Sequence, residues 1–516
     1  MAAQPVVVKA SKEFLIPPDE GLSALVPGRM VDFRGQRVMA YPHNTETTRL
    51  ARNMGYKVPA PVLSQYEWPS DPPPFSTQKT TAALLTMQAR AYVLSEMGTG
   101  KTRAALYACD HMFKENQIEK VLVVAPLSTL TQVWDKEIFR YFMHLSTVIL
   151  HHPVRKKRLA LLRDNAAAKI HIINHDGLKM MRQQLIDQKY DVVIIDEVAT
   201  FRNASTELWK AARSVIRNTP YVWGLTGSPT PNEPPDAWGL AKLLTPNRAT
   251  PYKKEFIRRT MTQITEFRWV PKPDANDQVY AMLQPAVRFK RDDCVELPET
   301  TYKDIEVTPS KQVKDTYDNM VKKLKLAFQE GTVTAANEGV LFSKLLQISC
   351  GWVYTQDKGV VRLDNKNRVQ ELIDIYEQAA GKVICFTNFK HSTEELYARV
   401  LKKTNAAIVH GGTPMGYRND IFNTFQDSPE KQLLIAHPQC MAHGLTLTAA
   451  NTIVWFTPTT SLEIYEQANA RITRPGQEHK TLVIHLTGTA IERKLYSRLR
   501  QKARLQGALL DMFNDN

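Results

Sequence analysis

A glycine-rich segment close to residue 100 has the composition of a phosphate-binding loop. It reads Ser95-Glu96-Met97-Gly98-Thr99-Gly100-Lys101-Thr102. Glycines let backbone N–H groups turn toward phosphate oxygens, and a helix that starts directly after them adds its positive end. In this pattern the Lys101 ammonium neutralises the β- and γ-phosphates of ATP, while the Thr102 hydroxyl binds Mg²⁺. The segment predicts an ATP site. Ser95 stands in place of the first glycine of the strict pattern, which leaves an ordinary helix start as the alternative.

Two adjacent carboxylates supply a second chemical signal. Asp196 and Glu197 directly follow the apolar run Val192–Ile195, which is typical of a buried strand. Open α/β sheets bind ligands at the carboxyl ends of their parallel strands, so both side chains would reach the ligand edge of a sheet. Asp196 suits Mg²⁺ coordination through water. Glu197 suits activation of a water molecule for attack on the γ-phosphate.

Two arginines form a third candidate group. Arg471 and Arg474 lie three residues apart in QANARITRPGQ (467–477). We expect their side chains on one face of a helix, because residues three apart are neighbours there. Negative charge on a transferring phosphoryl group is stabilised by a cation, and a guanidinium fits that role. The pair predicts arginine fingers that reach the nucleotide when two lobes close.

Two series of short apolar runs predict the sheets that position these groups. The first series is Val121–Ala125, Ile170–Ile173, Val192–Ile195 and Tyr221–Leu225, and the second is Val383–Phe386, Ala406–Val409, Leu433–Ala436, Thr452–Phe456 and Leu482–His485. Helix-compatible segments such as 101–113 and 206–215 lie between the runs. Continuous apolar strands that alternate with helices indicate parallel sheets covered on both faces. We therefore predict an α/β fold with two parallel-sheet lobes in tandem.

The rest of the chain is predicted to surround these lobes. A hairpin about Gly35 and a helix over Thr45–Met54 indicate a small N-terminal module that ends in a Pro-rich linker. The predicted division is 1–75 for this module, 76–246 for the first lobe, 247–365 for a basic and helical inter-lobe region, 366–490 for the second lobe and 491–516 for an amphipathic C-terminal helix.

Charge favours a polyanionic partner. Of 516 residues, Lys and Arg exceed Asp and Glu by 67 − 52 = 15, and an excess of this kind most often serves nucleic acid. Basic residues concentrate in Arg155–Arg158, Arg248–Lys272 and Arg493–Arg504. Three separate clusters predict a binding groove for nucleic-acid backbone phosphates, with scattered surface charge as the alternative.

Composition excludes several classes of protein. A hydrophobic fraction of 43% and a charged fraction of 23% exclude wholesale disorder. No apolar run approaches the ~18 residues of a membrane helix, and the N-terminus lacks a secretory signal. Five cysteines without a CxxC pair argue against a disulfide framework or a zinc site. We expect a cytoplasmic protein without a membrane partner, in the host cytoplasm or nucleoid if it is viral.

The motifs, taken in chain order, resemble those of the Swi/Snf-type ATPases of helicase superfamily two. They are Gln78, SEMGTGKT (95–102), APLSTLTQVW (125–134), DEVATFRN (196–203), LTGSPTPNEPPDAWGL (225–240), VRFKRDDCVELPE (287–299), FTNFKHS (386–392), HGGTPMGYR (410–418), HGLTLTAAN (443–451) and QANARITRPGQ (467–477). Each motif is modest alone, but their order over about 77–490 is highly specific. The layout, without large insertions, is most similar to compact viral and bacterial members and to annealing-helicase relatives.

This resemblance implies two RecA-like lobes, ATP and Mg²⁺ as cofactors, and double-stranded nucleic acid as partner. It implies that Gln78 reads adenine and that the nucleotide is further contacted by Met97, Gly98, Thr99, Gly100, Lys101, Thr102 and Gln467. By motif position it also implies nucleic-acid contacts by Ser128, Thr129, Thr387 and Asn388.

The chain departs from the family pattern at several positions. Ala199 stands where the family has His, Thr446 and Asn451 replace Asn and Asp, and Met441 with Ala442 replaces a glycine pair. In the family these positions link nucleotide state to nucleic-acid contact. The departures therefore concern the strength of that coupling more than hydrolysis itself.

Together these features predict an ATP-dependent DNA translocase or remodelling helicase that acts as a monomer on duplex or branched DNA. A strand-separating DNA helicase and an RNA-remodelling ATPase are the alternatives. A nucleotide-gated clamp without hydrolysis is disfavoured because Lys101 and Glu197 are both present. A nuclease is not supported, since no H-E-x-x-H or comparable metal cluster lies outside the phosphate site.

Overall fold

The computed structural model describes residues 5–231, 233–265, 268–290, 293–294, 298–329, 335–355, 359–441, 446–474 and 476–511. These residues form two units, one of Met1–Cys294 with Ala508–Asn516 and the other of Val295–Gly507. No helix in the described part of the chain is long and apolar enough to cross a lipid bilayer.

The first unit opens with an antiparallel four-stranded sheet of order β1-β2-β4-β3. Its elements are β1 (Val6–Val8), β2 (Glu13–Ile16), α1 (Glu20–Leu25), β3 (Arg29–Phe33), β4 (Gln36–Pro42), α2 (Thr45–Asn53) and α3 (Pro61–Gln65). The predicted hairpin is confirmed, with Gly35 at φ +78° in its turn, and so is the predicted helix, here α2. The small core of this module includes Phe14 and Tyr41.

A larger sheet and its helices make up the rest of the first unit. They are α4 (Ser76–Met87), β5 (Arg90–Val93), α5 (Lys101–Lys114), β6 (Val121–Ala125), α6 (Lys136–Tyr141), β7 (Thr147–Ile149), α7 (Arg155–Asp164), β8 (Ile170–Asn174), α8 (His175–Met180), α9 (Arg182–Asp187), β9 (Val192–Asp196), α10 (Glu207–Ile216), β10 (Tyr221–Leu225), α11 (Ala237–Leu244), α12 (Lys253–Thr260), β11 (Met261–Thr265), β12 (Arg268–Pro271), α13 (Ala275–Met282) and β13 (Ala286–Val287). Short helical turns cover Leu130–Asp135, Val198–Phe201, Pro234–Asp236 and Pro246–Arg248.

The seven strands of this sheet are parallel, in the order β13-β5-β10-β9-β6-β8-β7. The central strands β6, β8 and β9 are buried along their whole length. Apolar side chains on the two faces form two separate core clusters, as expected when helices cover both sides of a parallel sheet. Ala60, Val62 and Tyr66, from the end of the N-terminal module, pack in one of these clusters.

The second unit contains a six-stranded parallel sheet of order β14-β21-β20-β17-β19-β18. Its elements are β14 (Thr300–Glu306), α14 (Lys311–Gln329), α15 (Ala335–Cys350), β15 (Trp352–Tyr354), β16 (Val360–Arg362), α16 (Lys366–Gln378), β17 (Lys382–Phe386), α17 (Lys390–Val400), β18 (Ala406–Val409), α18 (Met415–Asp427), β19 (Leu433–Ala436), β20 (Ala450–Trp455), α19 (Leu462–Asn469), β21 (Thr481–Thr487) and α20 (Ala490–Asp511). Two tandem parallel sheets of this kind are RecA-like lobes, so the predicted fold class is confirmed.

A buried ion pair joins α16 to the start of α20 in the second unit. The Arg368 Nη2 lies 2.6 Å from Glu492 Oε1, and both side chains are at least 95% buried. Arg368 also donates to the carbonyls of Phe456 and Leu486. Glu492 accepts from the backbone N–H groups of Gly488 and Thr489. Both charges therefore have the additional hydrogen bonds that a buried ion pair requires.

Each sheet contains strands that the apolar runs did not predict. The first sheet adds the short strands β5, β7 and β13, and the second adds β14. Strand β14 was not predicted because it is an edge strand with mostly exposed side chains, and its sequence, TTYKDIE, is therefore not a continuous apolar run. Both β13 and β14 come from region 247–365, which the sequence prediction placed between the lobes.

Candidate nucleotide site

The glycine-rich segment forms the connection between β5 and α5, as a phosphate loop does. Gly98 and Gly100 have φ values of +86° and +75°, a conformation that glycine adopts without strain. The Lys101 Nζ donates to the carbonyl oxygens of Ser95 at 2.8 Å and Glu96 at 3.0 Å. The loop thus wraps around the ammonium group at the N-terminal end of a 14-residue helix, where the helix dipole favours an anion.

Gln78 contacts the phosphate loop from helix α4. Its side chain is 3% exposed. The amide oxygen accepts from the Phe75 backbone N–H at 2.9 Å, and Nε2 donates to the Gly100 carbonyl at 3.4 Å. The predicted adenine-reading residue therefore connects the start of α4 to the phosphate loop.

The serine that breaks the strict glycine pattern has a structural partner. Ser95 is 2% exposed, and its hydroxyl accepts a hydrogen bond from the Phe289 backbone N–H at 3.0 Å. Next to it, the Arg288 Nη2 lies 3.3 Å from Glu96 Oε1. The Glu96 backbone N–H also donates to the Phe289 carbonyl at 3.0 Å. The segment after β13 is therefore attached to the phosphate loop by contacts that the sequence alone did not indicate.

Asp196 ends β9 and is held by two donors. The Trp134 Nε1 donates to Oδ2 at 2.9 Å, and the Glu197 backbone N–H donates to Oδ1 at 3.1 Å. Burial raises the pKa of Asp196, while the Trp134 hydrogen bond and the Lys101 charge act in the opposite direction. The carboxylate is thus placed within the electrostatic influence of the phosphate-loop lysine.

Glu197 adopts a backbone conformation that is rare for a residue with a side chain. Its φ and ψ are 49° and 53°, a left-handed conformation that costs about 1–3 kcal/mol for a non-glycine residue and is concentrated at functional sites. The Thr226 hydroxyl donates to Glu197 Oε2 at 3.2 Å. Thr226 follows β10, which lies between β5 and β9 in the sheet, so its hydroxyl holds Glu197 at the carboxyl edge beside the phosphate loop.

The two arginines of the second unit are not placed as predicted. Helix α19 ends at Asn469, before Arg471 and Arg474, so they do not share one face of a helix. Arg471 is 1% exposed and its Nε donates to the Gln467 carbonyl at 2.8 Å. Arg474 is half-buried, and its Nη1 donates to the Thr446 hydroxyl at 3.2 Å. Arg474 is the more accessible cation of the pair.

Several departures from the family pattern have defined surroundings. The Thr446 hydroxyl accepts a hydrogen bond from the Arg474 guanidinium. One position that departs from the family pattern therefore directly contacts a predicted arginine finger. Ala199 and Met441 are fully buried. Asn451 accepts from the Thr452 hydroxyl. Ala442 lies outside the described residues.

The residues predicted to contact nucleic acid differ in accessibility. Thr387 is fully buried and its hydroxyl is hydrogen-bonded to Thr393 at 2.8 Å. Thr129 is 5% exposed and donates to the Pro126 carbonyl. Ser128 and Asn388 are half-buried. The structure therefore does not support a direct phosphate contact by the Thr387 side chain.

The three basic clusters also differ. In the first, Arg158 is 4% exposed and donates to the Asn174 side chain, so it stabilises the fold. In the third, Arg493 and Arg500 form ion pairs with Glu306 and Asp304. Among the described side chains of Arg248–Lys272, an ion pair is found only between Arg259 and Glu255. Exposed basic side chains without an ion pair among the described residues therefore include Arg248, Lys254 and Arg258 in this cluster, and Arg155, Lys156 and Lys157 in the first.

Comparison with known proteins agrees with this architecture. A phosphate loop and an acidic pair on one RecA-like lobe, followed by a second such lobe, define a P-loop nucleoside triphosphatase of the helicase type. Residues 80–350 match the SNF2-related domain, and residues 365–476 match the helicase conserved C-terminal domain. The chain belongs to the SNF2 family of ATP-dependent helicases and is an ATP-hydrolysing enzyme.

Individual relatives are distant in sequence. A protein of the Acyrthosiphon pisum secondary endosymbiont phage 1, named p41, is 25% identical over 82% of this chain and 94% of its own length. The ATP-dependent helicase MG018 of Mycoplasma genitalium is 25% identical over 83% of this chain and 41% of its own length. The DNA annealing helicase and endonuclease ZRANB3 of Bos taurus is 22% identical over 85% of this chain and 40% of its own length. The chain thus spans less than half the length of the last two.

Proposed function

We propose that this enzyme is a DNA translocase that couples ATP hydrolysis to movement along duplex or branched DNA. The observation that carries the proposal is the grouping of three elements at the carboxyl edge of one sheet. These are the phosphate loop after β5, Thr226 after β10, and Asp196 with Glu197 at β9. Neighbouring strands deliver them to the edge where parallel α/β sheets bind ligands.

In the proposed mechanism the phosphate loop orients ATP. Backbone N–H groups near Gly98 and Gly100 donate to phosphate oxygens, and Lys101 exchanges its two carbonyl partners for the β- and γ-phosphates. Glu197, held by Thr226, accepts a proton from the attacking water. Arg474 supplies a cation that stabilises charge on the transferring phosphoryl group.

The residues around the phosphate loop also fit a magnesium ion. The Thr102 hydroxyl and the Asp196 carboxylate are oxygen donors of the kind that Mg²⁺ prefers, and Mg²⁺ usually keeps several of its waters. Among the described residues each Asp196 oxygen accepts one hydrogen bond, from Trp134 or from Glu197, so lone pairs remain for a metal or its water. When bound, the ion neutralises phosphate charge. Thr102 and Asp196 hold its position.

The proposed partner is DNA, bound through its backbone phosphates. The chain carries an excess of 15 positive charges, and the Arg248–Lys272 cluster exposes Lys254, Arg258 and Arg259. Phosphate contacts carry no sequence information, which suits a motor that must accept any sequence. The name of one relative, a DNA annealing helicase, supports DNA over RNA. Binding of this kind weakens steeply as salt concentration rises.

The test is the rate of ATP hydrolysis without nucleic acid and with single-stranded DNA, duplex DNA, forked DNA or RNA. We expect stimulation by duplex or forked DNA of any sequence. Glu197→Gln should abolish turnover and keep ATP binding, because it removes the base but preserves the shape of the site. Lys101→Ala should weaken ATP binding itself. Stimulation by RNA alone, or near-normal turnover by the Glu197→Gln variant, would contradict the proposal.

A further inference from the structure

The first unit carries a two-stranded ribbon that belongs to neither large sheet. Strands β11 and β12 pair only with each other within the described residues, and the register shifts between Gln263 and Thr265. Two large apolar side chains near its distal end are exposed to solvent, Ile264 at 56% and Trp269 at 36%. Ile264 lies at the register shift, and such bulges often redirect a side chain.

An exposed tryptophan on such a ribbon calls for a physical explanation. Single exposed apolar residues are common on protein surfaces. A two-stranded ribbon, however, is at best marginally stable by itself, and apolar groups near its end add nothing when they face water. A ribbon with Ile264 and Trp269 near its tip is therefore better explained by a partner that covers them.

The surroundings of the ribbon are positively charged. Helix α12 leads directly into β11 and exposes Lys254, Arg258 and Arg259. Between α12 and α13 lies an open groove of about 370 Å³, with Arg248 and Arg259 in its lining. Among the described residues the acidic groups nearby are Glu255, which pairs with Arg259, and Asp274 and Asp277 at the start of α13. Glu266, between the two strands in sequence, lies outside the described residues.

The positive charge around the ribbon favours DNA over a second copy of the chain as the partner. A second copy of the chain carries the same net charge of +15 and would be repelled. A DNA backbone fits the groove and the face of α12, because arginine pairs well with phosphate. Unpaired bases fit Trp269, because aromatic side chains stack on bases without regard to sequence, and the neighbouring Ile264 adds apolar contact area.

We propose that the β11–β12 ribbon engages the first unpaired bases at a junction between duplex and single-stranded DNA, while α12 and the adjacent groove hold the duplex backbone. The proposal rests on the proposed function and names its substrate class, a branched or forked DNA. The ribbon contributes affinity for the junction by stacking, and Trp269 is the main stacking residue.

The experiment compares binding of the full-length protein to a fork and to a blunt duplex of matched length and sequence. The variant Trp269→Ala should lower the ratio of fork to duplex affinity by about tenfold. Trp269→Phe keeps an aromatic face and should retain most of that ratio. Leu401→Ala, which changes a side chain that is 47% exposed in the second unit, is the control and should leave the ratio unchanged.

A photoreactive 5-iodo-2′-deoxyuridine at the first unpaired position gives a direct readout. We expect its cross-link to map to the ribbon by mass spectrometry, and no ribbon adduct when the same base lies inside the duplex. An unchanged ratio in Trp269→Ala, an equal loss on fork and duplex, or a junction cross-link outside the ribbon would overturn the proposal. If any of these results is obtained while duplex DNA still stimulates ATP hydrolysis by the wild-type enzyme, the translocase assignment stands. If no DNA stimulates it, both proposals fail.

Discussion

Trp134 offers a sharp test of how Asp196 is positioned. The indole is fully buried in the helical turn Leu130–Asp135 and donates to Asp196 Oδ2 at 2.9 Å. Trp134→Phe keeps an aromatic ring but removes the donor. A hydrogen bond to a charged group contributes about 1.5–3 kcal/mol. If this energy serves to hold Asp196 in its working geometry, kcat/KM for ATP should fall by about 10- to 150-fold.

A matched control separates this effect from simple loss of packing. Trp223 is also fully buried in the first unit, but its Nε1 donates to the Gln88 carbonyl at 3.3 Å, away from the acidic pair. Trp223→Phe makes the same change in side-chain volume and removes a hydrogen bond to a neutral carbonyl, so it reports the cost of lost packing in urea unfolding without a change at Asp196.

The assay is ATP hydrolysis as a function of Mg²⁺ concentration. We expect Trp134→Phe alone to require more Mg²⁺ for half-maximal rate, because it acts through a proposed metal-binding carboxylate. Equal activity of the two variants, or an unchanged Mg²⁺ requirement in Trp134→Phe, would refute the positioning role and leave Trp134 as a core residue only.

Three further predictions concern other parts of the chain. Arg474→Ala should lower single-turnover hydrolysis by about 10³-fold while a fluorescent ATP analogue still binds, and an unchanged rate would exclude Arg474 as the arginine finger. Arg368→Met should lower the free energy of unfolding, measured in urea, by about 3–5 kcal/mol, because it leaves the Glu492 carboxylate buried without its cation. The double variant with Glu492→Leu should recover much of this loss, and failure to do so would argue against an uncompensated charge as the cause. Burial lowers the pKa of His111 from 6.5 to about 4, so the unfolded chain binds the proton more readily than the folded chain. Stability from this group is present above pH 6.5 and is lost as pH falls toward 4, by about 3 kcal/mol in total. His111→Gln should reduce the slope of unfolding free energy against pH in that window, and an identical slope would contradict the assignment.

The parts of the fold that were predictable from sequence are those in which local pattern and burial agree. Central strands such as β6 and β9 are continuous apolar runs because helices cover both of their faces, and the loop at Gly98 and Gly100 needs a conformation that glycine favours. The edge strand β14 was missed because partial exposure allows polar residues along it.

The contacts within the candidate site were less predictable. Trp134 and Asp196 are 62 residues apart in sequence, and Ser95 and Phe289 are 194 apart, so only the folded sheet brings each pair together. The spacing of Arg471 and Arg474 suggested a helix, but α19 ends at Asn469. Their backbone follows tertiary contacts instead, since the Arg471 carbonyl accepts from the Leu447 N–H.

Helix α5 sets a fixed distance between the phosphate loop and the N-terminal module. Its first residue directly follows Gly100 of the phosphate loop. Just past the other end, Glu115 forms an ion pair with Lys12 and Gln117 donates to Thr45, both in the N-terminal module. With 14 residues, the helix is about 21 Å long. A fluorophore attached to that module therefore sits within energy-transfer range of a labelled nucleotide, so loop movements during turnover can be followed from a distance without altering any residue that touches ATP.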